Sequence, residues 1–156
     1  LEGTAARLAA ERGVAEGPLL HIQTIVKQLD DCFGETPQDT DLERYSELNA
    51  DFHLALSRLS GSAVIEREIE RVTRLPFASP SAFLPDHGRL DVFRKTLMPA
   101  QEQHRAIVDA ITRREGARAE AIAREHAHTA KRNAEQIFGG DQSLRDSLPS
   151  LALIAG

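Results

Sequence analysis

LNADFHLALSRLSGS, residues 48–62, sets apolar side chains three and four positions apart. With the residues before it, the stripe runs Leu42, Tyr45, Leu48, Phe52, Leu56, Leu59. Side chains at these spacings share one face of an α-helix. TDLE, Thr40 to Glu43, has capping-box spacing and opens the helix, and the SGS after Leu59 closes it. One histidine, His53, lies inside the pattern. Asn49 precedes it by four residues and should point inward one turn away. Asp51 precedes it by two, which turns it about 200° from His53 and toward water.

The same periodicity extends outward along the chain. Leu1 to Arg12 reads as an Ala-rich helix stopped by Gly13. Pro18 opens a second helix running to about Phe33, with Gly34 after it. Ser62 caps a fourth, reaching about Leu75. LPFASPSAFLPDHG follows, and its Pro76, Pro80 and Pro85 argue against a regular helix there; Phe77 and Phe83 suggest that it packs on the body. Helix resumes at about Leu90 and reaches Ile111, kinked or divided at Pro99. A turn around REG leads to a last helix from Ala117 to about Phe138, ended by GGDQS. No stretch alternates in the strand manner. The expected fold is all-α, an antiparallel bundle of six to seven helices.

The 156 residues suit one domain with a sizeable core. Beginning at Leu1 rather than Met, the chain reads as a fragment or a processed chain. Nineteen Lys+Arg against 24 Asp+Glu give a formal charge of −5, unlike a domain that grips nucleic acid by itself. The single cysteine, Cys32, excludes an internal disulfide and fits a core position in a reduced cytoplasm. No apolar run approaches the length that spans a membrane, and no secretory signal stands at the start.

Two further histidines repeat the theme of His53. His104 lies within the stripe Ala100, Ile107, Val108, Ile111, and His126 within Ala119, Ile122, Ala123, Ala130, Ala134, Ile137. Asn133 follows His126 on the same line, and His128 points away. A buried polar group without a partner costs roughly 1–3 kcal/mol. Two readings answer that cost. Each histidine is a core residue with its own partner, or Asn49, His53, His104 and His126 share a divalent cation such as Zn²⁺. Periodicity does not show that they meet. A metal with bound water could also hydrolyse, which keeps open a metal-dependent hydrolase or lyase. No inward Glu or Asp stands out as its general base, and Cys32 lacks a nucleophile motif. Arg71, at the edge of the fourth helix's stripe, could meet a carboxylate or simply lie on the surface, and Arg74 is a weaker case. Arg113–Arg114 and Lys131–Arg132 read as solvated charge.

LEGTAARLAAERG, NADFHLALSRLSGS and EQHRAIVDAITRREGARAEAIAREHAHTAKRN, in this order and spacing, resemble the effector-binding FCD domain of the FadR subgroup of GntR-type bacterial transcription regulators. The resemblance runs from Leu1 to about Phe138. It implies a bundle around a central ligand and metal cavity, with residues 1–140 as an effector-binding and dimerisation domain. Residues 141–156 would be a tail that adds a short helix or frays. A divalent ion, Zn²⁺ first and Ni²⁺ or Mn²⁺ as alternatives, would sit on Asn49, His53, His104 and His126. The effector would be a small organic acid, with Arg71 and Asn133 in the wall. The protein would be a cytoplasmic homodimer and not an enzyme. DNA would be bound only through an N-terminal winged helix-turn-helix that this sequence lacks. The family often places Asp where Asn49 stands, and a neutral amide oxygen is the weaker ligand.

Overall fold

The computed structural model describes residues 1–74 and 90–139, and the side chains of 1–74 and 94–132. Six α-helices appear among them: α1 (Glu2–Arg12), α2 (Glu16–Asp31), α3 (Leu42–Leu59), α4 (Ala63–Thr73), α5 (Leu90–Thr112) and α6 (Gly116–Gly139), with a 3-10 turn at Pro37–Asp39. The all-α bundle expected from periodicity is what forms. The Pro-rich stretch after Leu75, with Phe77 and Phe83, and the tail beyond Gly139 lie outside the described residues.

Helix α1 packs on α3, α5 and α6, α2 on α3 and α5, α5 on α6, and α4 on α3. Contacts at the ends give the directions. Gly3 lies against Glu120 and Arg124, and Glu11 against Gly116, so α1 and α6 run antiparallel. Glu2 meets His53 while Arg12 donates to the Ser60 and Gly61 carbonyls, so α1 and α3 run parallel. A three-residue turn with Arg114 at φ 64 reverses the chain between α5 and α6.

Small residues allow the closest of these approaches. The buried face of α1 is Gly3, Ala5, Ala6, Ala9 and Ala10. A Cβ on Gly3 would come within 3.2 Å of the Glu120 carbonyl oxygen, so the two backbones nearly touch. The larger side chains fill the space around α3: Tyr45, Phe52 and Leu56 with Ile22, Leu29 and Ile107, all essentially without solvent exposure.

Several helix starts differ from expectation. α2 begins at Glu16, with Pro18 as its third residue; an N–H there would have no intrahelical acceptor, so proline costs the helix nothing. α3 is capped by Asp41, which accepts from the Arg44 amide at 3.0 Å, and not by Thr40. Thr40 instead donates to the Phe33 carbonyl at 3.3 Å. Pro99 neither divides nor ends α5, which continues from Leu90 to Thr112. Ala130, expected on the inner stripe of α6, is exposed.

Arg94 had no role in the sequence reading. Its guanidinium donates to the carbonyls of Phe33, Gly34 (3.1 Å) and Thr36 (2.9 Å), tying α5 to the loop that ends α2. Such a cation satisfies carbonyls that a helix C-terminus leaves open.

Ala6 is fully buried. Ala6→Leu should therefore cost about 1–3 kcal/mol of stability through overpacking. Urea denaturation reads this directly, and an unchanged midpoint would mean that α1 does not pack as described.

Candidate metal centre

His53, His104 and His126 come from three helices and meet. One ring nitrogen of each lies within 4.8 Å of the others. Ring centroids are 5.6 Å apart for His53–His104, 5.4 Å for His53–His126 and 4.5 Å for His104–His126. All three are buried, His104 completely. Phe52, one residue before His53, turns its ring onto His104 with centroids 4.1 Å apart, so one turn of α3 both supplies a ligand and supports another.

Behind each ring stands an oxygen. His53 Nδ1 is 2.7 Å from Glu2 Oε1, His104 Nδ1 is 3.0 Å from Gln101 Oε1, and His126 Nδ1 is 3.1 Å from Gln103 Oε1. An Nδ1–H on each ring would donate outward to these oxygens and leave Nε2 for the centre. Imidazoles that bind metal are commonly held by such an oxygen on the far nitrogen, which fixes tautomer and ring direction. Nε2 of His104 and Nε2 of His126 are 3.1 Å apart. Two lone pairs at that distance repel unless a proton or a cation lies between them. Nitrogens bound tetrahedrally to zinc stand about 3.3 Å apart, from bonds of about 2.0–2.1 Å. The donor set therefore fits a divalent ion of this kind.

Asn49 is buried one turn before His53 on the same face of α3. Asp51 is exposed, as the helical phase requires. The other two expected site residues are Arg71 and Asn133. Arg71 is 67% exposed and pairs with Glu68 at 2.9 Å. Asn133 belongs to α6, but its side chain lies outside the described residues. Three residues of the site escaped the sequence reading: Glu2, Gln101 and Gln103. Glu2 is also an inward acid, of which none had been expected, and it stands behind His53.

A cleft of about 710 Å³ opens elsewhere, between the α1–α2 turn and the outer side of α3, lined by Val14, Pro18, His21, Asp51, Leu54 and Arg58 among others. It holds none of the three clustered histidines. The geometry of the cluster, and not the size of the cleft, marks the site.

Burial, aided by the charges of His126 and His53, pushes the His104 pKa well below the ordinary histidine value. Burial, with the charge of His53, lowers His126 to about 4, against an opposing pull from Glu2. Burial raises the Glu2 carboxyl, but the charge of His53 and its hydrogen bond outweigh that, and the net shift is downward. Both low histidines are neutral at neutral pH, as metal ligands must be. Without metal, the unfolded chain takes up these protons near pH 6.5, while in the folded chain His126 resists until about 4 and burial holds the His104 value well below 6.5. The melting temperature of metal-free protein should then fall as pH drops from 6.5 toward 4.5, and fall less steeply in His126→Asn. A flat profile would mean that the imidazoles are not buried neutral.

Comparison with known proteins agrees with this architecture. The profile of the FCD domain family matches residues 1–129. The Glc operon transcriptional activator of Escherichia coli (strain K12) is 28% identical over 150 residues, covering 96% of this chain and 57% of that protein. The protein of the same name from Escherichia coli O6:H1 (strain CFT073) matches equally. The chain thus spans little more than half the length of these relatives. With an all-helical bundle and a family match over most of its length, the chain belongs to the FCD domain family.

Proposed function

We propose that this domain is the effector-sensing part of a GntR-type transcriptional regulator of the FadR subgroup, and that it binds a small carboxylate at a divalent-metal centre. One observation carries the reading: three histidines from α3, α5 and α6 each have an oxygen against Nδ1 and bring one ring nitrogen apiece within 4.8 Å of the others. His53, His104 and His126 would hold the ion, Zn²⁺ first and Ni²⁺ or Mn²⁺ as alternatives, and Asn49 would add an amide oxygen. A bound divalent ion supplies a Lewis-acid docking point for a carboxylate oxygen.

The remaining steps fall to the chain's own residues. Gln101, Gln103 and Glu2 orient the rings. Phe52 excludes water from one face of His104. Arg71 would exchange Glu68 for the effector's second carboxylate, with Asn133 as another wall residue two turns beyond His126. The relatives' name, a transcriptional activator, supports a regulatory role. DNA contact would belong to a separate N-terminal domain, consistent with the net charge of −5 here. Residues 1–140 would also form the homodimer, so that effector binding shifts the placement of two DNA-binding domains. The setting would be the cytoplasm; no helix among the described residues is long and apolar enough to cross a membrane.

The alternative of a metal-dependent hydrolase or lyase gains no free general base from Glu2, which is engaged behind His53. Cys32 adds nothing to that reading, since it is buried and burial pushes its thiol pKa up.

Untagged protein should co-purify with metal by elemental analysis. Metal-stripped protein should gain thermal stability with Zn²⁺, Ni²⁺ or Mn²⁺, by about 2.7 kcal/mol at a hundredfold excess over Kd. Small carboxylates should add a further shift only when metal is present. No shift with any of the three ions would overturn the metal reading. Among variants, His53→Ala should abolish tight binding and Asp51→Ala should leave it intact. Asn49→Asp should strengthen it, since a charge is added at a ligand position. Loss of metal in Asp51→Ala with retention in Asn49→Ala would reverse the assignment of the oxygen ligand.

A further inference from the structure

Gln101 is 1% exposed, and its amide is held from two sides by α2. Nε2 of the amide donates to the Val26 carbonyl at 2.9 Å and to Asp30 Oδ1 at 2.8 Å. Both partners can only accept: one is a backbone carbonyl, the other a carboxylate that also receives a hydrogen bond from Arg105. The atom between them must therefore be the NH₂ group, and the atom facing His104 must be the oxygen. An oxygen there can only accept, so His104 must carry its proton on Nδ1, 3.0 Å away. Its Nε2 is left as a bare lone pair, aimed at Nε2 of His126.

We propose that Gln101 is a positioning residue of the histidine centre: with its direction set by Val26 and Asp30, it holds His104 in the Nδ1–H tautomer before any ion binds. The opposite tautomer would require the amide to turn over. That would set its oxygen against two acceptors and forfeit both bonds to α2. Gln103 imposes no such rule on His126. It is only half-buried and has no second anchor among the described residues to fix its amide, so it can turn to suit either tautomer. His104 is therefore the ring whose state is dictated by the fold, through a relay Asp30–Gln101–His104 that runs from the surface edge of α2 to the centre. The inference concerns metal-free protein, and it rests on the metal-centre reading only for its affinity readout.

The test is long-range proton–nitrogen correlation NMR on nitrogen-15-labelled, metal-free protein at about pH 7.5, which reports the tautomer of each imidazole. His104 should show a protonated Nδ1 and a bare Nε2. In Gln101→Met the Nε2–H form should appear, and Zn²⁺ affinity, measured by competition with a chelating dye, should fall about 10–100-fold. Because Gln101 is buried, Asp30→Ala serves as the second variant should Gln101→Met fail to fold. Asp30 is 37% exposed, and its loss should admit the Nε2–H form to a smaller extent. Arg105→Ala, which removes only the outer ion pair, should leave the tautomer as in the parent. An Nε2–H His104 in the parent protein would overturn the proposal whether or not metal binds. So would a Gln101→Met protein that folds and keeps both tautomer and affinity. A parent with the Nδ1–H tautomer but no affinity for any of the three ions would leave the positioning intact and defeat the metal reading instead.

Discussion

A neutral imidazole has one nitrogen that donates and one that accepts, and burying three of them together is the constraint on which this bundle turns. If all three rings are to present acceptors to one point, all three donors must find acceptors on the outside. Glu2, Gln101 and Gln103 meet that requirement. Their positions then determine how the helices sit. The first turn of α1 must reach α3 for Glu2 to touch His53. α5 must lie close enough to α6 for Gln103 to reach His126 and for the Nε2 atoms of His104 and His126 to stand 3.1 Å apart.

The glycine and alanine face of α1 serves the same end. An ordinary helix pair stands about 8–10 Å apart. With Gly3 backed onto the Glu120 carbonyl, α1 lies close on α6, so the single carboxylate of its first turn reaches the site. A bulkier face would hold Glu2 away from His53 and leave a buried Nδ1–H without its acceptor. Small residues in α1 are thus as much a part of the histidine centre as the acceptors are, though none of them touches it.

Local periodicity made the helices and the phase of the histidines legible. Leu42, Tyr45, Phe52, Leu56 and Leu59 settle the inner face of α3, and that phase places Asn49 and His53 inward and Asp51 outward. The acceptors were not legible for the opposite reason. Glu2 lies 51 residues from His53 in sequence, and Gln101 matters only because Val26, 75 residues away, aims its amide. Such pairings depend on tertiary distance, which spacing does not carry. One cap was misplaced on a smaller scale: Thr40 and Asp41 are adjacent and both able to cap, and Asp41 takes the Arg44 amide while Thr40 donates to the Phe33 carbonyl. Arg71 was ambiguous from the start, and its pairing with Glu68 on a charged helix face is what helical spacing alone provides.

The neutrality of Asn49 has a consequence for the proposed sensing. Three imidazoles and an amide bring no charge to a bound dication, and Glu2 stands behind a ring and remains partly exposed to solvent. In a buried site a cation with so little compensation attracts an anion strongly. A carboxylate effector would supply the missing charge, so ion and effector would each bind more tightly in the presence of the other, by the same factor. With aspartate at this position much of that charge would already be present, and the coupling would weaken even as the affinity for metal rose. On this argument, the amide trades holding power for dependence on the ligand, which is the property a sensor requires.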